Sequence, residues 1–123
     1  MNFLLLRNLS ECKEFIAGDK TSLKSILHPV YDNLDLNYCI AEARLKQGKS
    51  SLWHRLKTTE LYFILEGTGI MEIESEKARV KKGTAVFIPA NSRQRIRNTG
   101  KKDLVFLCIV SPAWKKELEE ILE

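Results

Sequence analysis

His54, Glu60 and Gln94 are the residues of this chain whose types and spacing could do chemistry. An imidazole, a carboxylate and a side-chain amide brought together supply one nitrogen and two oxygen donors. Such a mixed set suits a divalent ion such as Fe, Mn, Ni or Zn, with water in the remaining positions. His54 and Glu60 lie in the run Gly48 to Gly67, GKSSLWHRLKTTELYFILEG, and Gln94 lies in an echo of it, Gly83 to Asn98, GTAVFIPANSRQRIRN. Leu56, where a fourth donor would help, is apolar. The same trio can also satisfy itself as a buried hydrogen-bonded cluster with a water or two and no metal. Both readings stand at the level of sequence.

These side chains need strands to bring them to one surface. YCIAEARL alternates Cys39, Ala41, Ala43 and Leu45 against Tyr38, Ile40, Glu42 and Arg44, which is the period of a strand. SLWHRL puts Leu52, His54 and Leu56 on one face, and ELYFILEG puts Glu60, Tyr62 and Ile64 on one side and Leu61, Phe63 and Leu65 on the other. Both sides of ELYFILEG are mostly apolar, so it is expected to be central. IMEIESEKARV reads as a hairpin with its tip near Ser75 to Lys77, followed by TAVFIP, RQRIRN and DLVFLCIV as further strands. Leu56, Tyr62, Ile96 and Cys108 are expected to line the cavity beside the trio. Cys108 as a soft extra ligand is the weaker alternative, because a buried cysteine usually acts as a small hydrophobe.

Two helical pieces are expected at the ends. Asn8 to Phe15 reads as a short helix with Ser10 as its cap. Residues 112–122 read as a C-terminal helix capped by Ser111, with Pro112 at its first position and Trp114, Leu118 and Leu122, joined by Ile121, as the stripe that packs on the barrel. His28, just before Pro29, is expected to be a surface or rim histidine. Arg93, Arg95 and Arg97 alternate on one strand face and are expected to meet Glu72 and Glu74 or a neighbouring subunit; a nucleic-acid role is disfavoured because no reading element accompanies them.

The chain has 123 residues, which is enough for one core and too few for two ordinary domains. It is 44% hydrophobic and 29% charged, a globular balance, and no apolar run approaches the ~20 residues of a membrane helix. MNFLLLRNLSECKEF is a poor signal peptide, with a four-residue apolar run and no basic segment before it. The net charge of +4 is spread over scattered lysines and names no partner. Cys12, Cys39 and Cys108 are odd in number and lack CxxC spacing, which argues against a disulfide framework or zinc ribbon and for a reducing, cytoplasmic setting. Many short strands separated by glycine turns, with no βαβ pattern, predict an all-β sandwich or barrel.

The two glycine-framed runs resemble the paired motifs of the cupins. Gly48, His54, Glu60 and Gly67 stand at the spacings of the first motif, and Gly83, Pro89 and Asn98 at those of the second, with 15 residues between the two. Leu56 stands where the first motif has its second histidine, Gln94 where the second motif has its histidine, and Asn91 where it has a glycine. The resemblance spans about Tyr38 to Val110. It implies a double-stranded β-helix, or jelly-roll barrel, with its core at about residues 36–110 of a single 1–123 domain. It also implies a divalent transition metal held by His54, Glu60 and Gln94, a small organic ligand of the sugar or carboxylate type in the barrel, and a homodimer. Metal-dependent turnover is one expectation. The alternative is a metal-free sensor or scaffold that binds a small molecule without catalysis.

Overall fold

The computed structural model describes residues 4–123; Met1, Asn2 and Phe3 of the N-terminal stretch lie outside the described residues. Eleven strands form two antiparallel sheets. They are β1 (Glu14–Ile16), β2 (Ser22–Leu27), β3 (Cys39–Leu45), β4 (His54–Leu56), β5 (Thr59–Glu66), β6 (Thr68–Ile73), β7 (Glu76–Lys81), β8 (Ala85–Ile88), β9 (Gln94–Asn98), β10 (Leu104–Ser111) and β11 (Glu119–Ile121). One sheet has the order β1-β2-β3-β10-β5-β8 and the other β11-β4-β9-β6-β7. Successive strands change sheet repeatedly, as in a jelly roll. β5 is central in its sheet, between β10 and β8, as its two apolar faces require.

The period of two decides what is inside. On β5, Glu60, Tyr62 and Ile64 are buried while Leu61, Phe63 and Leu65 are half-buried on the outer face. The core joins Tyr62, Ile64, Ile88, Leu104 and Phe106 of one sheet to Met71, Val80 and Ile96 of the other. Burying each such large side chain contributes about 1.5–3 kcal/mol relative to leaving it in water. A second cluster, Cys39, Leu56, Val110 and Ala113 with Trp114 packed against it, closes one end of the barrel.

The turn at Gly67 sets how closely the sheets approach. Its φ is +87°, and a Cβ there would stand 2.6 Å from the Asp103 carbonyl oxygen. Gly69 faces the same crowding, with the Arg97 carbonyl oxygen 2.4 Å and Leu104 Cδ2 2.9 Å from where its Cβ would be. These two glycines let the start of β6 lie against β9 and β10.

Neither end of the chain is helical as expected. Asn8, not Ser10, is the cap, and it caps only a 3-10 turn over Leu9–Glu11: its side chain accepts from the Ser10 amide at 2.9 Å and the Ser10 hydroxyl at 2.8 Å. The chain then enters β1, which pairs with β2. At the other end, residues 112–122 form one 3-10 turn over Lys116–Leu118 and then β11, which pairs with β4 through Glu119↔Leu56, Glu120↔Arg55 and Ile121↔His54. A free helix of that length is marginal in water. β4, by contrast, touches β9 only through His54↔Gln94 and leaves its other edge unpaired without β11. Edge pairing therefore overrides the helical spacing of Trp114, Leu118 and Leu122. Among the described residues no helix is long and apolar enough to cross a membrane.

Candidate functional site

His54, Glu60 and Gln94 do meet inside the barrel, brought there by three strands. The single β4–β9 pair sets His54 beside Gln94, and β5 presents Glu60 from the opposite sheet. All three are buried. The Gln94 amide nitrogen donates to Glu60 Oε1 at 3.2 Å, and the Tyr62 hydroxyl donates to Gln94 Oε1 at 3.1 Å.

His54 is oriented from behind. Its Nδ1–H donates to the Leu52 carbonyl oxygen at 2.7 Å, so Nε2 is the atom left for chemistry. That atom lies 3.4 Å from Asp19 Oδ2. Asp19 sits in the turn between β1 and β2, where its Oδ1 accepts from the Thr21 amide at 3.1 Å and the Thr21 hydroxyl at 2.7 Å. The chain also fixes this turn to the barrel by Leu52 N–H donating to the Asp19 carbonyl oxygen at 2.7 Å.

The side chains of His54, Glu60 and Tyr62 open onto a cavity of about 280 Å³. This is just below the ~300–1,000 Å³ usual for small-molecule sites. Leu56 and Cys108 stand in its wall. Gln94 lies behind Glu60 and Tyr62, and Ile96 packs in the core between the sheets, so neither is part of the wall.

Asp19 and Glu119, which the sequence does not single out, and His28 and Trp114, which it places outside the site, all line the cavity. No spacing ties Asp19 to His54. Glu119 was assigned to a helix, whereas β11 puts it where a Cβ on Gly18 would stand 3.1 Å from its Oε1. His28 is buried instead of superficial: its Nδ1 accepts from the Val30 amide at 3.1 Å, which leaves Nε2–H to donate to the Trp114 carbonyl oxygen at 2.8 Å.

Burial controls the protonation of the site. It pushes the Glu60 carboxyl up to about 8; the Gln94 hydrogen bond opposes this, and Asp19 and Glu119 add to it. Glu60 is therefore largely a neutral acid at pH 7. Burial likewise raises the Cys108 thiol and the Tyr62 hydroxyl well above their ordinary values, which makes both inert as anions. Glu119 is raised by burial and by Asp19, with His54 and a hydrogen bond from Trp114 pulling the other way.

These donors do not fit a divalent metal. Gln94 has given its carbonyl oxygen to Tyr62 and its amide nitrogen to Glu60. Leu56 fills the place of a further imidazole, and among the described residues no three His, Cys, Asp or Glu side chains converge on a point. What the arrangement offers is proton handling: an imidazole with a free Nε2 beside a carboxylate, and a neutral carboxylic acid across the barrel.

The outer face of the smaller sheet is separate from this site. Arg95 Nε donates to Glu72 at 2.5 Å, the Arg93 amide donates to Glu74 Oε1 at 2.8 Å, and the Arg93 and Arg95 guanidinium groups lie 4.9 and 4.7 Å from the Trp53 ring. Of the three arginines only Arg95 pairs its guanidinium with the acidic side; Arg93 reaches Glu74 through its backbone amide, and Arg97 Nε has no hydrogen-bond partner among the described residues.

A Cupin domain family model matches residues 41–110, more than half of the chain, and the chain belongs to the cupin family. It is 37% identical over 113 residues to an uncharacterised protein of Methanocaldococcus jannaschii, covering 90% of this chain and 89% of that one. It is 31% identical over 71 residues to an oxalate-binding protein of Thermotoga maritima, covering 57% of this chain and 59% of that protein's length. The fold is similar to that of the polyketide cyclase RemF from Streptomyces resistomycificus, with a TM-score of 0.82 at 15% identity over 98% of this chain and 87% of that one.

Proposed function

We propose that this cupin binds a small organic molecule in its barrel cavity through the protein's own side chains, with no metal required. The ligand lies against the apolar wall and is oriented by His54 Nε2, Asp19 and Glu60. The observation that carries this reading is the commitment of both ends of the Gln94 amide to Glu60 and Tyr62, which removes one of the three donors a metal would use. The cavity supports it independently, since an apolar hollow with a few convergent polar groups is the usual form of a ligand site. Where a bound ligand needs a proton moved, His54 Nε2 can accept it and neutral Glu60 can donate it.

The reading is tested by thermal-shift screening of a metabolite panel on chelator-treated protein, because a ligand that binds only the folded state raises Tm by mass action. The expected result is stabilisation by at least one compound with no added metal, diminished in His54→Ala and in Glu60→Gln. Stoichiometric Fe, Mn, Ni or Zn in untreated protein, with every ligand-induced shift lost on chelation and restored by that metal, would overturn it in favour of a metal site built on His54 and Glu60.

A further inference from the structure

We infer that the cavity takes a small organic amine, an apolar body carrying an N–H donor group and no negative charge. This rests on the reading of the cavity as a metal-free small-molecule site and names the ligand class for it.

The first ground is the sign of the charges. The chain has 20 Lys and Arg residues, yet none of them lines the cavity, whereas Asp19, Glu60 and Glu119 all do. A carboxylate or phosphate entering this space would be desolvated beside three acidic groups with no lysine or arginine to pair it. Of the two histidines that line the cavity, His28 accepts at Nδ1 from the Val30 amide, and Asp19 already faces His54 Nε2. A carboxylate ligand, which the family resemblance suggested, is therefore the class this wall rejects.

The second ground is hydrogen-bonding capacity. The wall has spent most of its donors on itself: Tyr62 on Gln94, Thr21 on Asp19, His28 Nε2–H on the Trp114 carbonyl and His54 Nδ1–H on the Leu52 carbonyl. Acceptors remain. Glu60 is only 7% exposed and its Oε1 accepts from Gln94, while its second oxygen has no partner among the described residues; that oxygen carries the proton of the neutral acid, and a cation beside it favours the ionised form, in which it accepts. Asp19 Oδ2 likewise accepts no hydrogen bond from the turn that holds Oδ1. A ligand that brings N–H groups completes these acceptors; one that brings only acceptors leaves them bare.

The third ground is the apolar wall. Phe15, Tyr31, Phe106 and Trp114 stand with Leu56 around the space. Aromatic faces attract cations through their ring quadrupole, and the attraction grows when the cation is desolvated. The same surfaces hold the hydrocarbon part of the ligand. Both halves of an organic amine are thus matched.

The test compares benzylamine, benzyl alcohol and benzoate, which share a skeleton and differ in charge and donor capacity, on the whole protein at pH 7. Binding is read by calorimetry and by tryptophan fluorescence, since Trp114 lines the cavity. The expected order of affinity is amine, alcohol, carboxylate, with benzylamine at least about tenfold tighter than benzoate because like charges repel inside a site. Glu119→Gln, conservative in shape, should narrow that ratio while leaving benzyl alcohol nearly unchanged. Benzoate binding as tightly as benzylamine would overturn the amine inference while upholding the small-molecule reading. Failure of the three probes and of the whole metabolite panel to bind would overturn both.

Discussion

At the residue scale the site is governed by what burial does to a carboxylic acid. Glu60 titrates near 8 in the folded protein, against about 4.5 for an ordinary glutamate, because the charged form is costly to desolvate. The folded state thus holds a proton between those two values that the unfolded state has released. Stability should accordingly be fully present below about pH 4.5 and fall as pH rises toward 8, by at most about 1.4 kcal/mol per pH unit from this group. Denaturant titrations across pH 5 to 8 should show that decline in the parent and a flatter profile in Glu60→Gln, which keeps the shape of the side chain. An equal slope in both proteins would show that Glu60 ionises freely. His54 follows a different logic: its ring is fixed through Nδ1, so the useful atom is chosen by the Leu52 carbonyl and not by the cavity.

At the element scale, glycines decide where strands can turn and how near they lie. Gly48 and Gly67 stand at the two ends of the first motif and both have positive φ, at +76° and +87°. Their surroundings differ. A Cβ on Gly48 would meet nothing within 4 Å, but on Gly67 it would strike the Asp103 carbonyl oxygen and lie 3.1 Å from Leu104 Cα. Gly48→Ala should therefore cost only the left-handed backbone penalty, about 1–2 kcal/mol. Gly67→Ala should cost clearly more, since backbone must move as well, and chemical denaturation of the two variants ranks them. A similar ranking logic explains β11. The spacing of Trp114, Leu118 and Leu122 fits a helix, yet the open edge of β4 gives the segment a better use as a strand, and only that use carries Glu119 into the cavity.

At the scale of the whole molecule, the two sheets share one core, so damage to one should be felt by both. Leu104 is fully buried on β10 and reaches Gly69 on β6 in the other sheet. Leu104→Ala should destabilise by about 2–5 kcal/mol through lost transfer energy and the space left behind. The unfolding should remain a single transition followed identically by fluorescence and circular dichroism, as for one cooperative domain. Separate transitions would divide the sheets. Charge is also organised at this scale: Asp19, Glu60 and Glu119 line the cavity and no lysine or arginine does, and the net charge of +4 reveals nothing of that division.

The sequence by itself determined the barrel, because strand periodicity and glycine turns are local properties. Glu60, Tyr62 and Ile64 had to share a face, and the spacings of Gly48, His54, Glu60 and Gly67 could be read without knowing any contact. It also set His54, Glu60 and Gln94 on one expected inner surface. Only the tertiary structure decided what they touch. Asp19 reaches His54 across 35 positions, Glu119 arrives because β4 needs a partner, and Gln94 turns both ends of its amide to Glu60 and Tyr62. Those choices are settled by hydrogen bonds between distant segments in the interior, where a polar group left without a partner is costly. No local pattern in the chain records them.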